Sequence, residues 1–211
     1  IQTMHVACFG LGRLRNKMRI FQILSARATR GVPGGQIWLY NLYEPLIDLG
    51  HDVYLFQSDE YWSKLNKPGK KDQGIVGEFS NKILDTFKLE HAKKPFQLFF
   101  SYLMDGMIDI SVIDEIRKNG IPTCNFSCNN THQFYLTKEI APYFDYNLHT
   151  EKDAAEKFRA IRANPVWFPM AANPKYYRPY NIPKSIDVSF VGACYEKRPY
   201  YIWHILENVI D

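Results

Sequence analysis

The sequence predicts an α/β protein built on an open, mostly parallel sheet with helices on both faces. Short apolar runs rich in β-branched and aromatic residues alternate with stretches of helical spacing along most of the 211 residues. The connections between these runs are short, and a glycine pair, Gly34-Gly35, opens the first long helical stretch. Strand, glycine turn, helix and strand in that order make a βαβ unit. In sheets of this kind ligands bind beyond the carboxyl ends of the strands.

Taken in order, Thr3 to Leu11 is an apolar run ended by Gly10 and Gly12 and is expected as a buried first strand. Residues 13–33 carry six basic side chains, Arg13, Arg15, Lys17, Arg19, Arg27 and Arg30, which either line a crevice or form a solvated face. Within them Met18 to Ala28 has the spacing for a short amphipathic helix. Ile37, Leu39, Leu42, Leu46 and Leu49 then recur at near-helical spacing up to a Gly50 stop. The bare glycines and the unpaired N–H groups of the helix start suit the approach of an anionic or hydroxyl-rich ligand; the alternative is a simple turn.

His51 to Phe56 is expected as the second strand, with His51 closing the turn into it, and residues 58–74 as a mobile polar loop with a Lys64 to Lys71 cluster. A helix over Ile75 to His91, a strand over Phe96 to Leu103, a helix over Ile108 to Asn119 and a strand over Ile121 to Ser127 follow. Then come a helical piece at 135–143 interrupted by Pro142, a strand at 145–149, a helix over 150–162 capped by Thr150, and a strand at 166–170. Residues 171–186 hold three prolines and no periodicity, as in a linker. A fresh strand over 187–192, a loop over 194–199 and a helix over 200–209 complete the chain.

Composition narrows the classes. With 46% hydrophobic and 23% charged residues the chain is that of an ordinary globular protein. The net charge of +4 permits an anionic partner without demanding nucleic acid, and none is expected. No apolar run approaches the ~20 residues of a membrane span, and the first residues lack the order of a secretory leader, so a cytoplasmic protein is expected. The scattered cysteines, Cys8, Cys124, Cys128 and Cys194, are expected to be reduced thiols.

Familiar motifs are mostly missing. Gly10 and Gly12 are followed by Arg15 where a dinucleotide fingerprint has its third glycine, and neither a P-loop nor an H-E-x-x-H motif is present. Cys124 and Cys128 have no histidine at zinc spacing, so no metal site is expected. The fourth strand runs into Cys128-Asn129-Asn130-Thr131-His132-Gln133-Phe134, a polar cluster at the expected ligand edge. His132 there can serve as a base, as a hydrogen-bond donor to a sugar, or merely as a residue of a helix start. Asp105, after the third strand, is a ligand contact or a turn residue.

Four segments together carry a resemblance: GGQ with LGHDV within 34–53, IDEIRKNGIPTCNFSCNNTHQF at 113–134, VWFPMAANPKYYRP at 166–179 and DVSFVGACYEKRPYY at 187–201. They resemble the GT-B glycosyltransferases, in particular the bacterial glycosyltransferase family 1 or spore maturation protein group. The resemblance implies two Rossmann-like lobes, the first binding acceptor and the second a nucleotide-sugar donor. On it, residues 1–170 are the acceptor lobe, 171–186 the interlobe linker and 187–211 the incomplete start of the donor lobe. Gly34, Gly35, Gln36, Asp105 and Asn130 are then the candidate acceptor contacts, and His132 the candidate catalytic residue. Gly192, Lys197 and Arg198 would face the donor phosphates, where cations can stabilise a leaving diphosphate with no metal or other cofactor.

Two departures from the group stand out. Asn129 and Asn130 occupy positions where members tend to carry acidic residues, which excludes a carboxylate base there. The sequence also stops before the donor lobe's nucleotide-binding acidic residue, so these 211 residues alone are not expected to complete the reaction. Besides glycosyl transfer, two other readings stay open: a sugar- or nucleotide-binding module without transfer chemistry, and a basic docking domain using Arg13 to Arg30 and Lys64 to Lys71.

Overall fold

Six strands, all parallel, form one open sheet in the computed structural model, which describes residues 17–25, 36–66, 69–186, 189–192 and 196–208. The strands are β1 Arg19–Leu24, β2 Asp52–Gln57, β3 Leu98–Ser101, β4 Thr123–Ser127, β5 Tyr146–His149 and β6 Pro165–Trp167. Their spatial order is β2-β1-β3-β4-β5-β6. The chain steps one way from β1 to β2 and the other way from β3 onward, so the order reverses between β1 and β3, the place where open α/β sheets leave a crevice.

The strand that begins this pattern is not the expected one. Residues 3–11 lie outside the described residues, and the stretch expected as a short amphipathic helix contains β1 instead. Its residues alternate between two apolar layers: Ile20 and Leu24 join Phe100 and Phe126 on one face, while Phe21 and Ile23 join Phe56 and Phe99 on the other. A short run buried on both sides satisfies a central parallel strand, whereas an amphipathic helix needs a polar face. Arg19, counted with the basic residues that could line a crevice, sits at the amino end of β1, away from the ligand edge. Its guanidinium donates to the Glu90 and Lys94 carbonyls and lies 4.4 Å from the centre of the Phe96 ring.

Helices cover both faces. On one, α2 Asp59–Leu65, α3 Gln73–Lys93 and α4 Ile110–Arg117 bury Tyr61, Trp62, Phe79, Ile83, Phe87, Val112, Ile113 and Ile116. The α2 helix corrects the mobile loop expected at 58–74: Tyr61, Trp62 and Leu65 form a buried stripe, and Asp59 and Glu60 stand in the positively polarised first turn. Asp72 caps α3 by accepting from the N–H groups of Gly74 and Ile75 at 2.9 and 3.3 Å.

On the other face a π-helical turn, Leu39–Tyr43, leads into α1 Glu44–Asp48. Pro45 has no N–H to give the Asn41 carbonyl, and the wider turn ahead of it closes through the Glu44 N–H to the Leu39 carbonyl. The helix ends at Gly50, as expected, with φ +86°, a conformation that favours glycine. Buried Gln22, on the same face of β1, donates its side-chain amide to the Leu42 carbonyl at 3.1 Å.

The later elements are shorter than expected. The helical piece at 135–143 resolves into 3₁₀ turns at Phe134–Leu136 and Ala141–Tyr143, preceded by the four-residue α5 Asn130–Gln133. The helix expected over 150–162 is a 3₁₀ turn, Lys152–Ala154, followed by α6 Ala155–Ala160, and Thr150 does not cap it. The strand expected at 166–170 ends by Trp167, where Pro169 has no N–H to continue a ladder. The chain divides into two compact units, 1–176 and 177–211. In the second, residues 189–192, expected as strand, have no regular structure, and α7 spans Arg198–Asn208.

At the amino ends of β4 and β5, Asp145 accepts from the Thr123 N–H at 2.8 Å and hydroxyl at 2.9 Å, and pairs with Arg117 at 2.9 Å. Burial pushes its carboxyl up, but the Thr123 donors and the Arg117 charge outweigh that, leaving it below its ordinary value. The native state therefore holds this proton less tightly than the unfolded chain does. The stabilisation is complete above the unfolded value of about 3.9 and disappears as pH falls through the lowered native value. Asp145→Asn should lower stability at pH 7 by about 1–3 kcal/mol and flatten the acid limb, as measured by urea unfolding at pH 7, 5 and 3.

Candidate functional site

The carboxyl edge of the sheet is fastened by side chains that bond to backbone across long sequence distances. At the end of β1 the Leu24 carbonyl accepts from the buried Ser58 hydroxyl at 2.7 Å, which joins the exits of β1 and β2. Asn125, inside β4, accepts from the Ser101 hydroxyl at 2.8 Å and the Leu103 N–H at 2.9 Å, and returns a bond to the Leu103 carbonyl at 3.0 Å. A single buried amide thereby turns the chain leaving β3.

That turn brings Asp105 against the segment that follows β4. Its carboxylate accepts from the N–H groups of Glu139 at 3.1 Å and Ile140 at 2.9 Å, and its own N–H donates to the Leu136 carbonyl at 2.8 Å. Burial raises the Asp105 carboxyl above its ordinary value, and the two backbone donors offset part of that. A hollow of about 380 Å³ opens beside it, lined by Leu65, Asn66, Lys71, Met104, Tyr135 and Leu136 together with Asp105 and Gly69. Loops following β2, β3 and β4 thus meet there.

At the exit of β4, Asn129 is exposed and adopts a left-handed conformation, φ +56°, which asparagine tolerates. Asn130 points inward and is only 1% exposed: its N–H donates to Glu151 at 2.7 Å and its side-chain amide to Ser127 at 3.0 Å. His132, on the same short helix, is exposed. The expected Asn130 to His132 edge is thus split, one residue serving the interior and one the surface. Lys157 donates to the Thr131 carbonyl at 2.6 Å and holds this piece from below. Cys128 lies 3.5 Å from the Tyr102 hydroxyl; burial pushes both groups up, so neither is a ready nucleophile at neutral pH.

Gly34 and Gly35 lie outside the described residues. The helix that follows them begins over the exits of β3 and β4: the Trp38 ring lies 4.8 Å from Tyr102 and 5.6 Å from Phe126. Gln36 is half-buried and accepts from the Tyr40 hydroxyl at 3.0 Å. Asn173, from the stretch read as linker, is bonded to Asn41 and to the Tyr40 carbonyl, each at 2.8 Å.

In the second unit the three candidate donor residues are neighbours. A Cβ placed on Gly192 would lie 2.7 Å from the Phe190 ring and 3.2 Å from an Arg198 guanidinium nitrogen, so only glycine fits without displacement. Arg198 sits 5.7 Å over the Phe190 ring, and Lys197 and Arg198 line a hollow of about 240 Å³ with Glu196 and Tyr201.

A larger hollow of about 920 Å³ lies at the opposite, amino end of β4 and β5, where its Arg117 and Asp145 are already paired with each other. The carboxyl-edge hollow next to the strand-order reversal is therefore the better candidate. Among the described residues no cluster of three or more His, Cys, Asp or Glu could hold a metal ion, and no helix is long and apolar enough to cross a membrane. No family model, curated protein or solved structure matches the chain.

Sequence reasoning singled out Asp105 but not Tyr135, Asn66 or Glu151. The spacing of Tyr61, Trp62 and Leu65 was the available signal for α2, and hence for a wall beside the β3 turn. Replacing Asn125 by Leu should strip the Leu103 N–H and carbonyl of their partner, costing about 2–3 kcal/mol in urea unfolding and speeding amide exchange at Leu103.

Proposed function

We propose that this chain is part of a two-lobed glycosyltransferase of GT-B type, with the parallel sheet serving as the acceptor side and the 177–211 unit carrying donor contacts. The observation that carries this reading is the reversal of strand order between β1 and β3, with the helix that follows Gly34-Gly35 starting over the neighbouring strand exits. The donor is a nucleotide sugar, bound as substrate. An acceptor hydroxyl attacks the anomeric carbon, the bond from that carbon to the diphosphate breaks, and the hydroxyl proton passes to a base. His132, exposed at the β4 exit, is the candidate base. Lys197 and Arg198 stabilise the charge that collects on the departing diphosphate, and Gly192 lets the Arg198 guanidinium pack close to the backbone. The reaction belongs in the cytoplasm, and nucleic acid is no partner.

A second reading, a sugar-binding module without transfer, draws on Asp105 and Glu151, whose carboxylates are both engaged by backbone N–H groups. The test is nucleotide release from a panel of nucleoside diphosphate sugars by the protein that contains this chain, alongside nucleotide affinity. Arg198→Ala should raise the barrier by about 2–4 kcal/mol and weaken nucleotide binding, with Arg198→Lys in between, because lysine keeps the charge and loses the planar fork. Unchanged turnover and nucleotide affinity in Arg198→Ala would reject the donor-side assignment.

A further inference from the structure

We infer that the hollow between Asp105 and Tyr135 is a subsite for one neutral, hydroxyl-rich ring, a pyranoside, bound with its apolar face on Tyr135 and its hydroxyls on Asp105 and Asn66. Its volume of about 380 Å³ is at the small end for ligand sites, which run to roughly 300–1,000 Å³. That suits a small ring better than a peptide or a nucleic-acid strand.

The lining selects the chemistry. Leu65, Met104 and Leu136 give an apolar floor, and Tyr135, carried on a 3₁₀ turn, is 61% exposed at its side. An aromatic face left open to water beside an apolar floor is suited to the C–H face of a sugar ring, with the phenol hydroxyl still free to hydrogen-bond. A purely apolar ligand would strand the polar groups opposite.

Those groups are Asp105, Asn66 and Lys71. The Asp105 carboxylate is held by the Glu139 and Ile140 N–H groups, so it points as a fixed acceptor, and a carboxylate has about four lone-pair sites, enough to accept a hydroxyl as well. Gly106, at φ +70°, brings the backbone close to the Lys71 stem: a Cβ there would lie 3.3 Å from it. Asn66 adds a donor at the rim, and Lys71 lines it. Asp105 and Lys71 balance one another in the lining, so the hollow has no net positive charge to draw in a phosphate or carboxylate, and a neutral polyol is the best match. Calling this ring the acceptor rests on the glycosyltransferase reading; the binding itself does not.

The test is titration of the protein with methyl glycosides of several common neutral sugars, followed by saturation-transfer NMR, with inorganic phosphate, a hexuronic acid and cyclohexanol as comparisons. At least one glycoside should bind saturably in the millimolar range or tighter. Tyr135→Ala should weaken it about tenfold and Tyr135→Phe no more than about threefold, since the ring face remains. Asn66→Ala should weaken it a few-fold. Tyr135 is exposed, so its loss spares the fold, and an unchanged melting curve checks this. Absence of glycoside binding, binding indifferent to Tyr135→Ala, displacement by phosphate, or equal binding of cyclohexanol would each overturn the subsite. Glycoside binding at Tyr135 without any nucleotide-sugar binding would keep the subsite and remove the transferase; nucleotide-sugar turnover without glycoside binding there would do the reverse.

Discussion

The architecture depends on the burial of β1 from both sides. Phe21 alone lies within 5.2–5.9 Å of the rings of Tyr54, Phe56, Phe87, Phe96 and Phe99, so one residue of one strand touches β2, β3 and α3 together with the turn that precedes β3. Aromatic rings pack with specific offsets and edges as well as area, and truncating such a side chain in a close-packed interior typically costs about 3–5 kcal/mol. The same strand defines the reversal of strand order. The position of the carboxyl-edge crevice and the integrity of the main core are therefore set by one six-residue segment.

Around that crevice, polar side chains do what apolar packing cannot, because packing alone does not specify where a loop turns. Asn125 directs the exit of β3, Asp105 ties that exit to the segment after β4, and Glu151 ties the β4 exit to the β5 loop. Each is a buried or half-buried acceptor satisfied by backbone N–H groups, which gives directional bonds where the hydrophobic effect gives none. The loops at this edge are thereby held as a set by the sheet beneath them, a rigid mounting of the kind binding loops need.

Much of the α/β alternation was legible in the sequence because parallel strands are apolar on both faces and stand out from helical spacing. The run at Arg19–Leu24 was harder: its polar neighbours and one internal glutamine imitate an amphipathic pattern, and only pairing with β2 and β3 distinguishes the two. The α2 helix was hidden because its buried face is three residues in a polar stretch. The site was less legible still. Asp105 and Asn130 are polar residues at strand ends, as a ligand site requires, yet the N–H groups on the Asp105 carboxylate lie 34–35 residues away and the carboxylate on the Asn130 N–H lies 21 away. Chain separation of that size leaves no trace in local pattern. Tyr135 carried no signal at all, since an aromatic in a helical-looking stretch is ordinarily a core residue.

Gln22 has a consequence for how the first crossover is seated. An apolar helix face can slide over an apolar sheet face at little cost, since neighbouring positions bury similar area. The amide of Gln22, buried in β1 and bonded to the Leu42 carbonyl, removes that freedom. A shift of the helix by a single residue, about 1.5 Å along its axis, would break this bond and leave the Gln22 amide N–H without its partner in the interior. Gln22 acts as an indexing pin, and the helix start that follows Gly34-Gly35 is held in phase with the strand exits it overlies.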